Sequence, residues 1–187
     1  MSPILTGVIA SGISGNLTPP WSGPEGGYDA LATITVGSTA VSSVTFSGIP
    51  NTYKHLQIRG VAFTSGSTNP TWQVNGDTNG SNYSGHHLWG DGSTVTSNAQ
   101  SGTSVFWNYN PSASYPSAFV MDWLDYASDS KFKTMRTLAG SETAGGVVET
   151  ALWSGLYMRT NPISQITLLG NGPSFTNNSH FALYGVK

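Results

Sequence analysis

Apolar and polar residues alternate in short runs along most of the chain. Ala30, Ala32, Ile34 and Val36 alternate with Leu31, Thr33 and Thr35 before Gly37-Ser38. Val44 and Phe46 alternate with Ser43, Thr45 and Ser47 before Gly48-Ile49-Pro50. Over residues 53–63, Leu56, Ile58, Gly60 and Ala62 are expected to face inward and His55, Gln57 and Arg59 outward. Period-two runs bounded by Gly, Pro and Asn predict β-strands. Their closeness predicts that the first three form an antiparallel set. Residues 64–100 are mostly turn chemistry, with brief strands at 71–74 and 86–89. Further strands are expected at 103–109, 118–126, 131–138, 147–159, 163–169 and 180–186. In 118–126, Phe119, Met121 and Trp123 share one face and Asp122 the other; in 147–159, Val148, Leu152, Leu156 and Met158 share one face. No window holds helical i, i+3, i+4, i+7 spacing for three turns. Eight to ten strands with Gly- and Asn-rich loops predict an all-β fold, an antiparallel β-sandwich of jelly-roll type.

Residues 1–27 break this pattern. Gly, Ser and Pro recur too densely for a helix or a long strand. The segment nevertheless carries Ile4, Leu5, Val8, Ile9, Ile13, Leu17 and Trp21. A free linker is polar, so this apolar content predicts an extended arm that lies on another surface, of its own domain or of a neighbour. The expected organisation is an N-terminal arm, residues 1–27, and a β-sandwich domain, residues 28–187.

Composition narrows the function classes. Charged residues make up 9% of the 187-residue chain, against about 25% in an average soluble protein. The surface must therefore be covered mainly by Ser, Thr, Asn, Gln and Gly. A net charge of -2 argues against a nucleic-acid partner, which calls for a basic surface. Without cysteine there is no disulfide framework, thiolate metal site or cysteine nucleophile. No apolar run approaches the roughly 20 residues that cross a bilayer, and no basic residue precedes the first apolar stretch as in a secretory signal. No membrane partner and synthesis in a cytosol are the resulting expectations.

Candidate chemistry is sparse. No nucleophile elbow, P-loop or zinc-protease motif is present. Gly90-Asp91-Gly92 and Gly170-Asn171-Gly172 read as hairpin turns. His86 and His87 are adjacent, so a strand would point them to opposite faces; His55 and His180 stand alone. Asp77, Asn79, Asn82 and Asp91 offer an irregular calcium site as the alternative to turn-capping residues, although the EF-hand pattern fails at Asn82 and Leu88. Asp122 and Asp125 lie on opposite faces of a strand and do not make a glycosidase pair. Lys131, Lys133 and Arg136 form a basic cluster with Lys131 and Lys133 on one face, suited to an acidic partner or to guarding an edge. Neither enzymatic activity, a metal nor a cofactor is expected. Trp72, Tyr83, Trp89, Trp107, Tyr109 and Tyr115, interleaved with Asn and Ser, are candidates for glycan or partner contact.

Three segments, YDALATITVGSTAVSSVTFSGIPNTYKHLQIRGVAF (28–63), NGDTNGSNYSGHHLWGDGS (75–93) and HFALYGVK (180–187), resemble small virion structural proteins of tailed bacteriophages, of head-decoration or tail-fibre type. The run from Ile49 to Gly60 is the most specific part. The resemblance implies a β-sandwich on the particle surface, a homotrimer made in the host cytoplasm. Together with the arm, it leads to the expectation of a non-enzymatic capsid decoration or head-fibre component, held by the arm to the major capsid protein or another virion protein. The alternative is a receptor-binding domain of a tail or neck fibre that reads a host surface glycan through the loop aromatics.

Overall fold

The computed structural model describes residues 27–102, 105–107, 111–142 and 148–187. Among them are twelve strands and one 3-10 turn at Gly80–Asn82. The strands are β1 (Tyr28–Thr35), β2 (Ser43–Ser47), β3 (His55–Ala62), β4 (Thr71–Val74), β5 (Tyr83–Gly90) and β6 (Val95–Ser101). They continue with β7 (Val105–Phe106), β8 (Ser117–Leu124), β9 (Lys133–Glu142), β10 (Val148–Tyr157), β11 (Gln165–Leu169) and β12 (His180–Val186).

An eight-stranded sheet runs in the order β1-β12-β3-β8-β9-β10-β5-β6, and a four-stranded sheet in the order β2-β11-β4-β7. All pairings are antiparallel. Leaving aside the hairpins β5–β6 and β9–β10, the chain alternates between the sheets at every step but one, β4 to β7, which pair within the four-stranded sheet. The remaining β1-β12-β3-β8 and β2-β11-β4-β7 are the two halves of a jelly roll. The two hairpins extend one half, joined to each other by the β10–β5 ladder.

This winding changes the expected start. The first three strands are close in sequence but do not pair with one another. β1 and β3 flank β12, and β2 belongs to the opposite sheet. Short connections here turn the corner between layers rather than close hairpins. A bulge between Ala30 and Ala32 alters β1 as well. An extra residue shifts the alternation, so Leu31 and Ile34 both pack on the core while Ala32 is exposed.

Aromatic side chains hold the layers together. Trp72 of β4 meets Trp123 of β8 edge-on, with ring centroids 4.7 Å apart. Trp107, just after β7, packs on Phe119 of β8 at 4.3 Å. Phe175 packs on Phe181 of β12 at 5.2 Å. Edge-to-face geometry aligns the positive rim of one ring with the negative face of the other. Gly155 of β10 makes room for Trp72: a Cβ there would lie 2.8 Å from the indole and 3.1 Å from the Met135 methyl.

In β10, Leu152 and Leu156 share one face, as expected, and it is the outward one; the inward positions are Ala151, Trp153, Gly155 and Tyr157. Bulky aromatics claim the interior over aliphatics because they bury more apolar area. An expectation about the basic cluster needs revision. Lys133 does not join Lys131 at the surface. It is fully buried, and its Nζ donates to the carbonyls of Ser128 and Lys131, both at 2.6 Å, and of Thr160 at 2.9 Å. Lys131 is exposed and pairs with Asp125 at 3.0 Å.

Candidate functional site

The outward face of the large sheet is organised in rows that cross the strands. In one row, Arg59 of β3, Val120 of β8, Leu138 of β9, Leu152 of β10 and Leu88 of β5 are successive register partners. Val120 is 38% exposed, Leu138 57%, Leu152 51% and Leu88 48%. Four aliphatic side chains therefore form one continuous apolar stripe in contact with solvent. Isolated surface leucines are ordinary, but a contiguous row is a feature of adhesive surfaces.

Polar residues flank the stripe on one side. Gln57, Asp122, Arg136, Ser154 and His86 form the neighbouring row. Gln57 donates to Asp122 at 2.6 Å, and its side-chain oxygen accepts a short hydrogen bond from Arg59 Nε. The Arg59 guanidinium lies 4.9 Å from the Tyr28 ring centroid and 5.1 Å from that of Tyr184. This cation–π stack covers the face toward β12 and β1. On the stripe's other side, the small residues Ala118 and Gly140 leave an open trough of about 560 Å³, bordered by Val61, Val120, Leu138 and Thr150.

The aromatic candidates divide sharply. Trp72, Tyr83 and Trp107 are at most 1% exposed and belong to the core, which corrects their assignment to a contact surface. Trp72 and Tyr83 meet at 5.2 Å, and Trp107 Nε1 donates to the Thr71 carbonyl at 2.9 Å. Trp89 and Tyr115 are half-buried. Tyr109 lies outside the described residues, as do Ile4, Leu5, Val8, Ile9, Ile13, Leu17 and Trp21 of the arm.

The Asp77 turn is self-contained. The Asp77 carboxylate accepts from the Asn79 backbone at 2.8 Å, from Asn82 Nδ2 at 2.6 Å and from the Tyr157 hydroxyl at 3.1 Å. Burial raises its pKa, but those donors outweigh burial and hold it below the usual carboxylate range. Tyr83, which donates to the Asp77 carbonyl at 2.7 Å, is pushed up to about 12, mainly by burial. Asp91 sits at the other end of β5 and caps the β5–β6 hairpin through the amides of Ser93 and Thr94. The proposed calcium ligands thus occupy two separate turns. Among the described residues no group of three or more His, Asp or Glu is placed to hold a metal ion.

Gly90-Asp91-Gly92 closes a hairpin, as expected. Gly170-Asn171-Gly172 is a turn, with Asn171 and Gly172 at positive φ, but it leads from β11 to the other sheet. His86 and His87 do face opposite ways: His86 is exposed, while the His87 ring lies 4.3 Å from that of Trp153. Burial lowers the His87 pKa and favours the neutral ring. His55 Nδ1 accepts from the Asp125 amide, and His180 pairs with the Thr35 hydroxyl, each at 3.0 Å.

The apolar row was missed by sequence reading because it is assembled across strands. Its signal was the even-numbered apolar set of residues 147–159, read without its neighbours. No family model matches the chain, and searches of curated proteins and of solved structures likewise find no match. No helix among the described residues is long and apolar enough to cross a membrane.

Proposed function

We propose that this protein is a non-enzymatic structural component of a tailed-phage virion, a capsid decoration or head-fibre protein attached through residues 1–27. Its domain projects outward as a trimer. The observation that carries this reading is the apolar row on the outer face, which offers adhesive area on a charge-poor jelly roll. The resemblance of residues 28–63, 75–93 and 180–187 to phage virion proteins supports the same conclusion. Jelly rolls also serve lectins and other proteins, so the winding alone does not choose among them. The glycan-binding alternative now rests on Trp89 and Tyr115, since three of its aromatics are committed to packing.

The test is immunogold labelling of intact particles with antibody against residues 28–187. Gold distributed over the head is the expected result. Gold confined to tail or neck would favour receptor binding instead, and unlabelled particles would overturn the virion reading.

A further inference from the structure

The outward face of the large sheet is close to self-complementary. Across β8, β9, β10 and β5 the apolar row reads Val120, Leu138, Leu152 and Leu88, and the polar row beside it reads Asp122, Arg136, Ser154 and His86. The β9–β10 ladder lies at the middle of both rows. A two-fold axis parallel to that ladder, just above the face, exchanges β8 with β5 and β9 with β10. A second copy placed by this axis sets Leu138 against Leu152 and Val120 against Leu88, each twice. It sets Arg136 against Ser154, and Asp122 against His86, whose ring N–H can donate to a carboxylate in either charge state. Thr150, beside the apolar row, meets Gly140, which has no side chain to obstruct it. No like charges are opposed, and the half-exposed leucines are covered at the centre.

The other way of laying two such faces together fits worse. An axis along the apolar row would press Asp122 and Arg136 onto Ala118 and Gly140, removing both from water with no polar partner across the contact. The same axis moved to the polar row would set Asp122 against Asp122 and Arg136 against Arg136. The area is also adequate. Six strands from β3 to β6, about 4.8 Å apart, and four outward rows, about 6.8 Å apart, span about 29 Å by about 27 Å. That is comparable with the about 800 Å² that each partner buries in a stable interface.

We propose that this face binds a second copy of the chain, sheet on sheet, about a two-fold axis along β9–β10 with Leu138 and Leu152 at the centre. The inference takes no support from the virion reading, and it names what the adhesive row adheres to. A trimer formed through other surfaces would then pair into six copies.

The molar mass of the full chain is measured by light scattering over a dilution series. An even number of copies is expected at the concentrated end, and one copy or three throughout would overturn the proposal. Leu138→Asn with Leu152→Asn, both at half-exposed positions, is expected to preserve the circular dichroism spectrum and to weaken pairing at least about a hundredfold. Undiminished pairing would reject this face. The chain has no cysteine, so the axis can be tested by cross-linking. A Val120→Cys chain is mixed with a Leu88→Cys chain and treated with a short bismaleimide. Cross-linked product is expected from the mixture and from neither chain alone. Product from the Val120→Cys chain alone would put the axis along the row and overturn the arrangement, and so would the absence of product from every sample.

Discussion

In β8, Phe119, Met121 and Trp123 are buried while the alternating Ala118 and Val120 are exposed. In β6, at the far edge of the same sheet, no residue is buried and Val95 is 73% exposed. The difference follows from what stands opposite each strand. β8 belongs to the jelly-roll half that faces a second sheet, whereas β6 lies beyond it, in the four-strand extension. Hydrophobic alternation records the presence of a second layer as much as it records a strand. The two edges of the large sheet differ in the same sense. β1 carries a bulge and the Asp29–Lys187 pair, at 3.1 Å, both of which discourage added strands. β6 has neither a bulge nor a charge.

Substitutions that sharpen this contrast can be ranked. Trp123→Ala, in the two-layer half, is expected to cost about 3–5 kcal/mol, read as a lower denaturant midpoint with an unchanged slope. Lys133→Met tests how the extension is fastened. It leaves the Ser128, Lys131 and Thr160 carbonyls without their donor, and a loss of about 3 kcal/mol is expected. Hydrogen exchange should then accelerate first in β9 and β10; uniform acceleration across β3 and β8 would show that the extension does not open separately.

A smaller effect concerns His87 on the extension's inward face. Its native pKa is lowered by burial, so below the ordinary imidazole value of about 6.5 the unfolded chain binds the proton first. Stability from the neutral ring is full above that pH and declines as pH falls toward the lowered native value. Thermal melts between pH 7 and 5 should show this decline, and His87→Gln should flatten it. Smallest of all, Val95→Ser at the open edge is expected to change stability by no more than about 0.5 kcal/mol. A larger loss would mean that Val95 is covered by another part of the molecule.

The sandwich was legible because its two-layer strands alternate cleanly: Val44 and Phe46, Leu56 and Ile58, and Phe119, Met121 and Trp123 are all buried where the pattern put them. β6 looks like loop in the sequence because Thr96, Ser97, Asn98 and Gln100 carry no apolar period at all. β10 is ambiguous in the opposite way. Both its faces are apolar, so periodicity could not choose between Leu152 and Trp153. Tyr83 and Trp72 flank turn-rich sequence and so resemble contact residues, but their rings point back into the core. The row of leucines could not be seen in any single window, since each member comes from a different strand.

The β1–β12 ladder has a mechanical consequence. Tyr28 pairs with Val186 and Thr35 with His180, so residues 27 and 187 emerge side by side at one end of an antiparallel pair. Tension applied between those two points would not shear the ladder as a block. It would load the Lys187–Gly27 hydrogen bond first and then each rung in turn, peeling β1 away like one side of a zipper at low force, whereas a pull across the same strands in shear would meet all the rungs together.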